Sequence, residues 1–142
     1  MKLIVGIDFG TSTTVVRYKE EGTDVIKPIK DADGVSDIIP SAIFRVDGQN
    51  QTLYGCGALN AKTGGMQGEL ITNFKMGLLD VNPEERRRKE AYIEEFFTYI
   101  YKQFWNQTRG IRYDSMDVYV SVPAKWDTDA REVMKRTVKK AG

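Results

Sequence analysis

Asp8 closes an apolar run and is followed by Gly10-Thr11-Ser12-Thr13. A carboxylate beside a glycine-led polar turn suits one kind of chemistry. Glycine lets backbone approach a ligand closely, and successive amides in a turn present N–H donors to phosphate oxygens. An acid within an apolar strand costs desolvation unless something pairs with it. A hydrated magnesium ion is one such partner, because magnesium takes oxygen ligands and keeps several of its waters. The same residues also read as a plain hairpin whose buried aspartate accepts from the turn amides, and the pattern by itself leaves both open. Two familiar phosphate loops, GxxxxGK before Ser or Thr and GxGxxG ahead of a helix, are not present.

Lys75 is the second candidate. It lies among apolar neighbours in Asn73-Phe74-Lys75-Met76. A held ammonium neutralises a γ-phosphate or orients an attacking water, whereas a snorkelling surface lysine produces the same pattern. Arg86-Arg87-Arg88-Lys89 reads as a solvated helix face offset by Glu84, Glu85 and Glu90, with nucleic-acid contact as the lesser reading. Other chemistries drop out. The chain has no His, so a histidine base is excluded within it, and Cys56 is its sole cysteine, so it forms no internal disulfide and no cysteine-based zinc site. With 21 basic and 20 acidic residues the net charge is +1, which argues for neither a nucleic-acid nor a membrane partner. No run approaches the roughly 18 apolar residues of a membrane span, and the N-terminus lacks the pattern of a signal peptide. A reducing, cytoplasmic setting is the expectation.

These groups need a scaffold, and 142 residues that are 41% hydrophobic suffice for about one domain with a proper core. Residues 3–7 predict a central strand buried on both faces, and residues 13–18 its partner across a short turn. Val25-Ile26 predicts a weaker third strand. Ile39 is pushed toward extended backbone by Pro40. Residues 41–46 and 51–54 pair as a hairpin about Asp47-Gly48, and residues 55–62 form a short helix closed by Gly64-Gly65. Asn82-Pro83-Glu84-Glu85 starts a long helix, with Asn as cap, Pro in the first turn and acids at the positive dipole end. Ile93, Phe96, Phe97, Ile100, Tyr101, Phe104 and Trp105 recur at helical spacing to make one apolar face, and Gly110 ends the helix. Residues 118–122 predict a strand. Asp127 caps a final helix with Ala130, Val133, Met134 and Val138 inward, and Lys139-Lys140 at its end. The order is that of an α/β layer: residues 1–37 and 81–142 form a core lobe, and residues 38–80 a small inserted α+β lobe.

With these motifs in order, the chain resembles the nucleotide-binding domain of Hsp70-type chaperones, in the actin / sugar kinase / Hsp70 ATPase superfamily. Gly6-Ile7-Asp8-Phe9-Gly10-Thr11-Ser12-Thr13 resembles the family's first phosphate motif. Ile39-Pro40-Ser41-Ala42-Ile43-Phe44 and Tyr54-Gly55-Cys56-Gly57-Ala58-Leu59-Asn60 are similar to segments of its upper small lobe, and Thr72-Asn73-Phe74-Lys75 to the stretch bearing its essential lysine. Val120-Ser121-Val122-Pro123-Ala124-Lys125-Trp126-Asp127 with Ala130-Arg131 resembles its Val-Pro-Ala strand end and following helix.

The resemblance implies a ribonuclease H-like, actin-like ATPase fold, of which this chain holds the first lobe: a mixed sheet with flanking helices plus the inserted lobe. It implies ATP or ADP with Mg²⁺, Asp8 reaching the metal through water, and Gly10, Thr11, Ser12 and Thr13 holding phosphate. Lys75 serves catalysis, and Pro123 and Arg131 relay nucleotide state between domains. The partners it implies are a second lobe and C-terminal domain of the same protein and a co-chaperone or peptide substrate, while an uncovered face favours self-association of the lobe. On this reading the lobe alone is at best a weak nucleotide binder without turnover. The rivals are a sugar kinase or filament-forming member of the superfamily, and a non-catalytic interaction module.

Overall fold

Alternation governs the first strand. In a computed structural model that describes residues 1–74, 82–121 and 128–141, β1 (Lys2–Phe9) buries Leu3, Val5, Ile7 and Phe9 and leaves Gly6 and Asp8 exposed. Successive strand residues point to opposite faces, so one face of β1 meets the core and the other is open. The apolar run predicted burial on both faces. Among the described residues only the odd-numbered face is covered, because the long helix lies on that side and no described element covers the other.

β2 (Thr13–Glu20) returns antiparallel to β1, with Thr14 opposite Phe9. β8 (Ser115–Val120) runs parallel to β1 on its other side, which makes β1 the central strand. The outer edge of β2 is shared by β3 (Lys27–Pro28) and β4 (Ile38–Pro40), both antiparallel. Both carry a proline, which lacks a donor and is tolerated at such an edge. The third strand thus lies two residues beyond Val25-Ile26, which are exposed. Ile29, fully buried, sets the register instead. A second, three-stranded sheet contains β5 (Ile43–Val46) between β6 (Thr52–Tyr54) and β7 (Gly68–Ile71). β7 was not anticipated. It starts at a glycine because a Cβ at Gly68 would lie 2.2 Å from the Arg45 carbonyl and 2.6 Å from the Phe44 ring. α1 (Cys56–Thr63) buries Ala58 and Ala61 against Phe44 and Val46, and Gly64 caps its end.

α2 (Pro83–Gln107) begins as its sequence predicts. The Asn82 side chain accepts from the amides of Glu84 and Glu85 at 3.0 and 3.4 Å, with Pro83 in the first turn. Its buried face, Ile93, Phe96, Phe97, Ile100, Tyr101 and Phe104, packs on β1, where Phe9 meets Phe96 and Phe97 at ring-centroid distances of 6.1 and 5.1 Å. Two expectations are corrected. Trp105 is 45% exposed and stacks on Tyr113 rather than joining that face. The helix ends at Thr108, whose amide and hydroxyl both donate to the Phe104 carbonyl, before Gly110 is reached. α3 (Thr128–Ala141) packs along α2 with Met134 and Thr137 buried.

The architecture is therefore mixed α/β, with a mixed sheet and helices. The smaller sheet and α1 fall within residues 38–80, while β4, at the start of that stretch, pairs with β2. Ile43, Ile71 and Phe74 share one core with β1 and α2. No helix among the described residues is long and apolar enough to cross a membrane. The expectations for Lys75, Val122, Pro123 and Asp127, and for the side chains of Ala130, Val133, Val138 and Lys140, lie outside the described residues.

Candidate functional site

The open face of the larger sheet carries the candidate site. Cross-strand register puts Arg17 and Tyr119 on either side of Gly6, and Val15 beside Asp8. Gly6 has no side chain and nothing within 4 Å of where a Cβ would sit, so a trough opens between its neighbours. The resulting groove has a volume of about 500 Å³ and is lined by Gly6, Asp8, Val15, Arg17, Tyr119 and Ser121. Asp8 is exposed there, so the desolvation argument made from its place in an apolar run does not hold. The period of two already puts it on the face of Gly6 rather than that of Ile7. The Ser121 hydroxyl donates to one carboxylate oxygen of Asp8 at 2.8 Å. Ser121 reaches it because β8 is parallel to β1 and the ladder continues one step further, the Ser121 amide donating to the Ile7 carbonyl at 3.0 Å.

Beside Asp8 the chain turns through residues 10–13. The Gly10 amide donates to the Thr13 carbonyl at 2.8 Å, and a Cβ at Gly10 would lie 2.6 Å from that same oxygen, so the turn requires glycine. Ser41 holds the turn from within: its amide donates to the Ser12 carbonyl at 2.9 Å and its hydroxyl to the Gly10 carbonyl at 3.1 Å. The carbonyls of residues 10, 12 and 13 are thus engaged. Among the described residues, the amides of Thr11 and Ser12 have no backbone acceptor. Thr11, Ser12 and Thr13 are exposed, next to a carboxylate that keeps one oxygen without a donor among those residues. Such a surface offers N–H and O–H donors to an anion rich in oxygen, and a carboxylate to a cation bound with it. No three acidic or cysteine groups converge among the described residues. One exposed carboxylate, Asp8, is what these residues offer a cation, and a magnesium ion that keeps most of its waters asks for no more.

Asp8 and residues 10–13 are brought together as their sequence suggested. Arg131 is exposed on the first turn of α3. Ser121, Ser41, Arg17 and Tyr119 were not singled out from sequence. Strand alternation could have placed Arg17 and Tyr119 on the face of Asp8, but the serines are identified only by tertiary pairing.

A second polar cluster joins the smaller sheet to α2. Glu95 on α2 takes a bidentate pair of bonds from Arg45 at 2.8 Å each and a third from the Tyr54 hydroxyl at 2.7 Å. The Arg45 guanidinium holds the Glu95 carboxyl below its ordinary value, against the opposing effect of burial. Tyr54 is pushed up to about 12 by burial and by its bond to Glu95. Asp31, 2% exposed, accepts from the Tyr99 hydroxyl and from the amides of Cys56 and Ala32, each at 2.7 Å for the two amides. Burial and the neighbouring Asp31 push the Cys56 thiol up to about 11, so it stays protonated and unreactive at neutral pH. Every donor and acceptor named here is used within the protein, which marks the cluster as a structural clamp.

No protein-family model matches this chain, and no curated protein matches it in sequence. The functional reading therefore rests on the residues themselves.

Proposed function

We propose that the chain is the first lobe of an Hsp70-type nucleotide-binding domain with the actin-like, ribonuclease H-like fold, and that its open groove takes Mg·ATP or Mg·ADP. One observation carries the reading: an exposed carboxylate, Asp8, at the end of the central strand, aligned by Ser121 and adjoining a glycine-dependent turn whose Thr11 and Ser12 amides have no backbone acceptor among the described residues. The element order supports it: a β-hairpin, a small α+β insertion, a long helix, a parallel strand and a closing helix.

In this reading the amides and hydroxyls of residues 10–13 bind the phosphates. Asp8 orients the waters of the metal, and the metal when bound supplies charge neutralisation at the phosphate oxygens. Lys75 adds a positive charge toward the γ-phosphate. In the full ATPase, water attacks that phosphorus in line, releasing ADP and phosphate, and Pro123 and Arg131 pass the change to a peptide-binding partner domain. A second lobe closes the groove, so this lobe alone binds weakly and does not turn over.

The test is a ¹H–¹⁵N NMR titration with Mg·ADP. Shifts at Thr11 and Ser12 that saturate only in the millimolar range, and that shrink on Asp8→Ala or on chelation of the metal, support the reading. Silence at those amides, or shifts indifferent to Asp8, overturns it. Multiple turnover of ATP by the chain alone overturns the single-lobe part.

A further inference from the structure

The phosphate turn and the smaller sheet are joined through one buried residue. Ser41 follows β4 and is 2% exposed. Its hydroxyl oxygen lies 3.1 Å from the Gly10 carbonyl and 2.8 Å from the hydroxyl of Thr14, which is itself fully buried. A carbonyl only accepts, and a serine hydroxyl carries one proton. That proton goes to Gly10, so Thr14 donates to Ser41, and the three groups form a directed chain from β2 through Ser41 to the turn.

The bonds have a geometric consequence. In a trans peptide the C=O of one residue and the N–H of the next point in opposite directions. Holding the Gly10 carbonyl against the Ser41 hydroxyl turns the Thr11 amide away from Ser41. Ser41 therefore sets the direction of the Thr11 amide. The residue after it, Ala42, accepts from the Gly55 amide at 3.0 Å, and the next amide, that of Cys56, is bound by Asp31 at 2.7 Å. A shift of the turn thus reaches the smaller sheet within two residues of Ser41.

We propose that Ser41 is the positioning residue of the 10–13 turn, orienting the Thr11 amide and carrying the state of the turn to Ala42 and the Gly55–Cys56 start of α1. What the turn binds rests on the nucleotide reading above; the mechanical link does not.

Two variants separate this role from a general loss of packing. Ser41→Ala removes the bond to Gly10. Thr14→Val removes a buried hydroxyl of similar environment but leaves that bond in place. Amide hydrogen exchange of the ligand-free protein, followed by NMR, reads the outcome. Ser41→Ala speeds exchange at Gly10 and Gly55 together by roughly tenfold relative to Thr14→Val, as expected for one buried hydrogen bond lost. Where the alanine variant does not fold, Ser41→Cys, close in volume and a weaker donor, is expected to show the same pattern. Equal acceleration in the serine and threonine variants, or acceleration at Gly10 without Gly55, overturns the proposal. With Mg·ADP, wild type shifts Thr11, Ser12, Ala42 and Gly55, and Ser41→Ala weakens the Thr11 shift and loses those of Ala42 and Gly55. Silence of all four in wild type overturns the nucleotide reading, and the exchange comparison still decides the role of Ser41.

Discussion

The hydroxyl of Ser121 donates to the carboxylate of Asp8 at 2.8 Å across 113 positions of sequence, at the adjoining ends of two parallel strands. The bond fixes one oxygen of Asp8 and so the direction of the other. Both residues are exposed, so Ser121→Ala is expected to change stability by no more than about 0.5 kcal/mol. Its effect belongs to binding: Mg·ADP affinity falls by roughly three- to tenfold, the value of one net hydrogen bond. Asp8→Asn removes the magnesium dependence altogether. Paired NMR titrations with and without the metal check both, and a Ser121→Ala variant with unchanged affinity would show that the bond aligns nothing.

Gly10 and Gly6 lie on the same strand and its turn yet predict opposite outcomes. A Cβ at Gly10 meets the Thr13 carbonyl oxygen at 2.6 Å, a backbone atom that cannot step aside, so Gly10→Ala costs on the order of 1–3 kcal/mol. A Cβ at Gly6 meets nothing within 4 Å, and alanine there restricts the unfolded chain, so Gly6→Ala is neutral or stabilising by up to about 1 kcal/mol. Urea denaturation of the two variants against wild type measures the difference.

The parts of this fold that could be read from sequence are those decided locally. The start of α2 is written in Asn82-Pro83-Glu84-Glu85, and the hairpin of β5 and β6 in Asp47-Gly48. The composition of the site was legible at Asp8 and residues 10–13 for the same reason: a glycine-led turn after a strand is a local signal. The rest depends on partners far along the chain. A continuous apolar run does not say that only one face of β1 is covered, which misjudged the environment of Asp8. Asp31 sits in the polar stretch Lys30-Asp31-Ala32-Asp33-Gly34, which reads as solvated loop. Its donors on Cys56 and Tyr99 are 25 and 68 positions away. The β3 register follows the burial of Ile29 rather than the strand propensity of Val25 and Ile26. Trp105 satisfies helical spacing yet lies at the margin of the face, where Tyr113 gives it a ring to stack on.

The clamp on Glu95 predicts how stability responds to pH at both extremes. Arg45 depresses the Glu95 carboxyl below its ordinary 4.5, so its contribution is complete above that value and is lost as pH falls through the lower folded value. The pair is partly exposed, which limits the effect to about 1 kcal/mol. Tyr54 is raised from 10.0 to about 12, so its contribution is complete below pH 10 and is lost as pH rises toward 12. Glu95→Gln is expected to flatten the acid limb of a stability–pH profile, and Tyr54→Phe the alkaline limb between those values. Denaturant melts across pH measure both. An acid limb unchanged in Glu95→Gln would mean that the bidentate pair contributes nothing.

Asp31 bears the heavier consequence because it is buried and its oxygens accept from α1, from α2 and from its own loop. Asp31→Ala leaves the Tyr99 hydroxyl and the Cys56 amide, both half-buried, without their acceptor, a cost of about 1–3 kcal/mol. Tyr99→Phe removes one donor and leaves the carboxylate two amides, so it costs only about 1 kcal/mol. Gly55 is tied to the same group. Its φ is +60°, and a Cβ would lie 2.5 Å from an Asp31 oxygen, so Gly55→Ala strains the backbone and displaces the acceptor together. The two changes therefore strike one interaction. In a double-mutant cycle, Gly55→Ala combined with Asp31→Ala is expected to cost less than the sum of the single variants by about 1 kcal/mol or more. Strict additivity in urea melts would mean that Gly55 is demanded by its backbone conformation alone and that Asp31 does not hold the start of α1.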